Sequence, residues 1–326
     1  VGTGYRDALW DDRPTLAVLD AATGDVPTYL INADVHSVWL NSAALRREGM
    51  STTDGVLREE GAFEISRRLN AVDPEHADRA VQRAGEEAAA RGVTGIVDFD
   101  MAWNADAWPR RVASGFAAHR GEFAVYPFDL ARAVAEGLRT GELVDDADLP
   151  QARRGLIRVG PLKIISDGSL GTRTAACTHA YPGDPYNFGV MTVPREELIG
   201  LLTTATGAGL AVAVHAIGDR AASTALDAFA MTGAVGSIEH AQLVRHADLA
   251  RFARLGITAS VQPQHAIDDR DLAERLWATQ DSLGYPLASL FAAGADVRFG
   301  SDAPVAALDP WQAMAAAVTR TENARD

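Results

Sequence analysis

Two histidines, one aspartate and one lysine stand at corresponding ends of short apolar runs, and their types suit metal chemistry. Lys163 lies near the end of GLIRVGPLKIIS (155–166), with Asp167 and Gly168 just after it. His215 closes LAVAVHA (210–216). His240, beside Glu239, closes GSIEHA (236–241), and Asp302 closes ADVRFGSD (295–302). GITASVQP (256–263) ends in Gln262, with His265 beyond it. Imidazole and carboxylate are ligands for Zn²⁺ and related ions. Lys163 is the only lysine among 30 basic residues, so the chain uses arginine wherever charge alone is needed. A neutral amine can take up CO₂ to form a carbamate, a carboxylate-like bridging ligand; a guanidinium stays protonated and cannot. A lysine at a strand end also suits Schiff-base chemistry of the lyase or aldolase kind. That alternative leaves His215, His240 and Asp302 without a shared task.

The elements that must position these residues alternate. Val/Ile-rich runs at 92–99, 122–128, 155–166, 210–216, 236–241, 256–263 and 295–302 predict seven strands. Most are separated by helical patterns such as 76–91, 195–209, 219–233 and 245–256, with Gly near the end of the last three as a C-cap requires. Strand–helix alternation implies a parallel sheet with right-handed crossovers. Seven strands are one short of an α/β (β/α)8 TIM barrel, in which strand C-terminal ends share one mouth. A doubly wound open sheet is the rival, without a Gly-rich nucleotide loop to favour it. Residues 92–326 are expected to supply barrel strands 2–8. Residues 1–91 break the rhythm and are expected to form an insertion or subdomain at the barrel mouth. There, 15–20 and 28–34 read as strands and 38–50 as a helix entry. No Pro/Gly/Ser-rich linker and no fixed-period repeat divides the chain.

Bulk properties narrow the partners. At 326 residues with 47% hydrophobic content, the chain can bury one large α/β core. A net charge of −14 with scattered arginines argues against nucleic acid and anionic membrane, and no apolar run reaches 18 residues. A small-molecule substrate is expected; whether the chain forms a homo-oligomer is open. The single Cys177 permits no internal disulfide and reads as a buried apolar residue in a cytoplasmic protein.

Further pieces fall in a fixed order along nearly the whole chain: GYRDALW and RPTLAVLD (4–20), DVHSVWLNSAAL (34–45), LKIISDGSLGTRTAA (162–176), AVHAIGDRA (213–221), IEHAQLV (238–244), SVQPQH (260–265) and FGSDAPV (299–305). With them the sequence resembles the amidohydrolase superfamily, and within it the YtcJ-like branch of amidohydrolase family 3, which includes N-substituted formamide deformylases. The resemblance implies a metal-dependent hydrolase on a (β/α)8 barrel. It implies one or two divalent ions, Zn²⁺ foremost with Fe²⁺ or Mn²⁺ also suited. The ligands would be Lys163 (carboxylated), His215, His240 and Asp302, and Asp302 would also be the catalytic proton acceptor. Such enzymes carry a His-x-His pair on strand 1, and no His-x-His occurs among these eight histidines. The expectation is therefore a fragment lacking strand 1 and the C-terminal β-sandwich part. A catalytically silent barrel fragment is the other reading of that absence.

The reaction expected is hydrolysis of an amide-like C–N bond, with a divalent ion lowering the pKa of a water from about 15.7 toward roughly 7. His215 and His240 should each fix their second nitrogen through a partner, with Asp219 and Glu239 near in sequence. Substrate contacts are expected from Asp167 and Arg173 in the long loop 167–189, from His36 and Trp39, and from Gln262 and His265. Trp103, Trp108 and Trp277 read as packing residues. His76, His119 and His246 read as solvent-facing residues on helices.

Overall fold

The computed structural model describes residues 1–8, 10–144 and 153–320. The chain opens with a small sheet of β1 (Gly2–Tyr5), β2 (Tyr29–Asn32), β3 (Ser37–Leu40) and β4 (Val56–Arg58), in that order. β1 and β2 run parallel and the other pairs antiparallel. Helices α1 (Leu16–Thr23), α2 (Ser42–Glu48) and α3 (Glu60–Asn70) intervene or follow. Two expectations are corrected here. Residues 15–20 form most of α1, not a strand, because Thr15 caps the helix by accepting from Val18 N. Leu19 then packs on Trp39 and Val56. Six residues are too few for periodicity to separate a strand from a helix turn. Within 38–50, Val38–Leu40 belong to β3, and the helix starts only after Asn41. That fully buried side chain accepts from Ala44 N at 2.9 Å.

The larger part runs α4 (Pro74–Ala90), β5 (Gly95–Asp98), α5 (Asn104–Ser114), β6 (Arg120–Val125), α6 (Leu130–Ala135), β7 (Ile157–Ile165), α7 (Arg195–Ala208), β8 (Val212–Ala216), α8 (Asp219–Thr232) and β9 (Gly236–His240). It continues with β10 (Leu243–Val244), α9 (Leu249–Leu255), β11 (Thr258–Val261), α10 (His265–Asp268), α11 (Arg270–Leu276), β12 (Leu283–Gly284), α12 (Leu287–Ala292), β13 (Val297–Phe299) and α13 (Pro310–Thr319). Among the described residues, seven of these strands form one parallel sheet, in the order β13-β11-β9-β8-β7-β6-β5. All seven match the runs read from residue 92 onward. Spatial order follows chain order without reversal, so every crossover steps the same way and the sheet curls. That excludes the doubly wound rival, which needs a switch point. The sheet is a curled half-barrel: β5 and β13 are its edges and do not pair with each other.

Strand alternation separates two environments. Leu162, Ile164, Val212, Val214, Ile238, Ala259 and Val261 face outward into one core with Leu198 and Leu202 of α7, Phe229 of α8 and Phe252 of α9. The intervening Lys163, Ser237, Glu239, Thr258 and Ser260 line the concave interior, a space of about 2200 Å³. Removing one large core side chain, such as Phe252→Ala, costs roughly 3–5 kcal/mol. The helices on the convex face therefore hold the concave face in place. His119 departs from its reading: it is buried just ahead of β6, edge-on to Phe116 and Trp108. His76 and His246 are exposed, and Trp108 and Trp277 are buried. No helix among the described residues is long and apolar enough to cross a membrane.

Candidate metal centre

Parallel register brings the polar strand ends together. Ile165 pairs with His215, His215 with Glu239, and Ala216 with His240. Beyond them, ligand atoms of His240, His265 and Asp302 all lie within 4.8 Å of one another. His240 and Asp302 carry left-handed backbone, with φ of 74° and 57°. Such non-Gly conformations cost on the order of 1–3 kcal/mol each and persist where the surroundings impose them. Here both residues are donors of the cluster.

The donor chemistry suits a divalent cation. Nδ1 of His240 donates to Oε1 of Gln262 at 2.8 Å, which leaves Nε2 with its lone pair. Burial holds the His215 and His240 rings far below the ordinary histidine value, and the basic side chains of His36 and Lys163 beside them act in the same direction. They are therefore neutral, the form that binds metal. His265 is buried and starts α10; its Nε2 lies 3.8 Å from Asp302 Oδ2 and has no hydrogen-bond partner among the described residues. An unpartnered buried imidazole nitrogen beside a carboxylate is a donor pair that fits a divalent cation. Burial pushes the Asp302 carboxyl up to about 6, while Lys163 and His36 pull it down. One flank of the side chain stays open, with 39% of its surface accessible.

His215 stacks edge-on against His240, ring centroids 4.5 Å apart. Its Nε2 lies 3.4 Å from both Gly168 O and Asp167 Oδ1. Asp167 is fully buried and turned inward to the backbone. It accepts from Ala176 N at 2.9 Å, Gly218 N at 2.9 Å and Ile217 N at 3.0 Å. Burial pushes its carboxyl up to about 7 against those three donors. Lys163 is buried with Nζ 4.5 Å from the Phe99 ring centroid. Burial drives its pKa down, against the pull of Glu239 and Asp302, which favours the neutral amine. Lys163 faces the concave interior, which it shares with His240, Gln262 and Asp302.

On the other side, a cavity of about 110 Å³ is bounded by His36, Ser169, His215, His240, His265 and Asp302, with Arg6, Asp7, Asp34, Asp268 and Asp269 also on its wall. His36 comes from the small sheet, its ring centroid 5.5 Å from that of His215. Burial alone would lower the His36 pKa; Glu59, whose Oε2 lies 2.8 Å from Nδ1, overrides this and holds it raised. Trp39 is not on the cavity wall. It packs against Leu19 and Val56, and its Nε1 donates to Thr15 O. Arg173 lies in the loop after β7, with φ of 58°, and does not line this cavity. Asp219 bonds Thr178 N and Ser282 Oγ, and Glu239 bonds Ser237, so neither is a partner of the histidine rings. Sequence reading passed over Glu59. Its only signal is position: it stands opposite His36 when the β3–β4 pairing is continued by one residue.

A sequence profile of the amidohydrolase family matches residues 1–326. The chain belongs to the amidohydrolase family. Among its relatives, the protein YtcJ of Bacillus subtilis (strain 168) is 29% identical over 99% of this chain and 64% of its own length. N-substituted formamide deformylase of Arthrobacter pascens is 26% identical over 94% of this chain and 61% of its own. A solved structure, an uncharacterized metal-dependent hydrolase from Pyrococcus horikoshii OT3, superposes with a TM-score of 0.79. It is 29% identical and is matched over 98% of this chain and 65% of its own. This amidohydrolase chain thus spans about 61–65% of the length of these three relatives.

Proposed function

We propose that this amidohydrolase is a metal-dependent hydrolase that cleaves an amide-type C–N bond, N-substituted formamides being a first substrate class to try. The observation that carries the reading is the convergence of His240, His265 and Asp302 donor atoms at the strand ends. His215 and Lys163 border the same centre. A divalent cation, Zn²⁺ foremost, held by His240, His265 and Asp302, with His215 and Lys163 (as its carbamate) as the further ligands the family resemblance implies, would supply an activated water and a Lewis acid.

The chain's own residues do the rest. Lys163, neutral in its buried site, forms a C–N bond to CO₂ and releases a proton, which turns an amine into an anionic oxygen donor. Gln262 keeps the His240 ring oriented. Asp302 accepts a proton from the attacking water and passes it to the leaving nitrogen as the C–N bond breaks, giving an amine and a carboxylic acid. The single cysteine suits a cytoplasmic, reducing location.

The test is metal content per chain for wild type, Lys163→Ala and His240→Ala, alongside amine release from a panel of amides. The reading requires one or two transition-metal ions on the wild type, loss of metal in both variants, and amine release only by the loaded protein. A wild type that neither holds metal nor releases amine from any amide overturns it.

A further inference from the structure

Glu59 is held in an arrangement that its place in the sequence does not explain. It precedes α3 at the cap position, yet its side chain caps nothing. Its backbone is left-handed, φ 50°, a cost that an ordinary helix entry does not require. Instead the residue grips His36 twice: its backbone N–H donates to His36 O at 2.9 Å, and its Oε2 lies 2.8 Å from Nδ1. The other carboxylate oxygen accepts from Thr174 Oγ1 at 2.5 Å and Thr172 Oγ1 at 3.2 Å, both in the loop after β7. Gly168 makes this approach feasible, since a Cβ there would lie 2.0 Å from Thr174 Oγ1 and 2.6 Å from Glu59 Oε1. A carboxylate can only accept, so the ring nitrogen facing it keeps its proton. The ring itself lies on the cavity wall beside His215.

We infer that Glu59 is a positioning residue of the candidate centre: it fixes the tautomer and direction of His36, so that Nδ1 stays protonated and Nε2 is presented to the cavity. Glu59 acts through His36 and touches no reacting atom itself. This role in turnover rests on the hydrolase reading above, but the state of the ring does not.

Two measurements on the full chain loaded with Zn²⁺ test it. The first is a long-range proton–nitrogen spectrum of the histidine rings, taken at a pH above the raised His36 pKa so that this ring is neutral, with His36 assigned by its loss in His36→Gln. Wild type should show the Nδ1-protonated ring with a strongly deshielded proton. Glu59→Gln, which can still accept from Nδ1, should keep the tautomer and move that proton upfield. Glu59→Leu should lose the fixed tautomer. The second is steady-state kinetics. Glu59→Leu should lower kcat roughly 10- to 100-fold with KM within about twofold, and Glu59→Gln should recover most of the loss. In a His36→Gln background the same Leu substitution should change kcat less than about twofold. Any of three results overturns the inference: a ring spectrum unchanged by Glu59→Gln, a normal kcat in Glu59→Leu, or an equally large effect without His36. Should Glu59→Leu fail to fold, the Gln variant's spectrum decides. Should the wild type cleave no amide while the ring signals respond as described, the hydrolase reading fails and the positioning of His36 stands.

Discussion

The Oε1 atom of Gln262 accepts the Nδ1 proton of His240 across 2.8 Å. Both side chains are buried, and their strands are neighbours in the sheet. The contact does two things at once. It satisfies a buried amide and it selects the nitrogen that His240 turns toward His265 and Asp302. Replacing Gln262 with leucine keeps the volume and frees the ring. Metal affinity, read by competition with a chelating dye, should fall roughly 10- to 100-fold with the fold retained. Unchanged affinity would show that His240 is oriented by packing alone.

Asp167→Asn should be costly even though it is nearly isosteric. The carboxylate accepts three backbone N–H groups and meets His215 at 3.4 Å. An amide puts an NH₂ where one of those donors points, leaving a buried polar clash. Urea midpoints should report a loss of roughly 2–4 kcal/mol at constant slope. A loss under half a kcal/mol would mean the turn is held by other contacts.

Asp269 should give the protein a stability that declines with pH. Burial pushes its carboxyl up to about 6 from an ordinary 3.8, while Tyr285, donating at 2.9 Å, and Arg6 pull it down. The folded pKa lies above the unfolded one, so the contribution is complete below about pH 4 and is lost as pH rises through 6. Against Asp269→Asn, which does not titrate, wild-type stability should fall by on the order of 1–3 kcal/mol between pH 4 and 7. A pH-independent difference between the two proteins would contradict this.

Cys177 should behave as an inert packing residue. It is buried in the main core, and burial pushes its thiol up to about 12. At pH 8 an aromatic disulfide reagent should label it only at the rate of global opening, and at once in urea. Fast labelling of the folded chain would mean that the loop around it opens locally.

Much of the fold was legible in residue order alone. The seven runs from residue 92 became strands because β-branched clusters bounded by helical pattern and Gly leave few other solutions. Their chain order then forced a curled sheet once the crossovers kept one hand. The 15–20 segment was not legible, since a six-residue apolar run fits either period and only the Thr15 cap settles it. His119 misled because the helix before it ends at Ser114, so it sits in the connection to β6, where the rings of Phe116 and Trp108 cover it.

The candidate centre divides along the same line. Residue types at strand ends already pointed to His240 and Asp302, two of the three clustered donors, because a parallel sheet brings such ends to one side; Lys163 and His215, put forward with them, border that cluster. Sequence could not say that Asp167 would turn inward to three backbone amides, that Trp39 would pack behind the small sheet, or that His265 would join His240 and Asp302. Nor could it pair Glu59 with His36 and, across 115 residues of chain, with Thr174. Periodicity and residue chemistry act over one element and are written locally. Which buried polar atom finds which partner is decided only when distant segments close on one another, and there the tertiary structure has the last word.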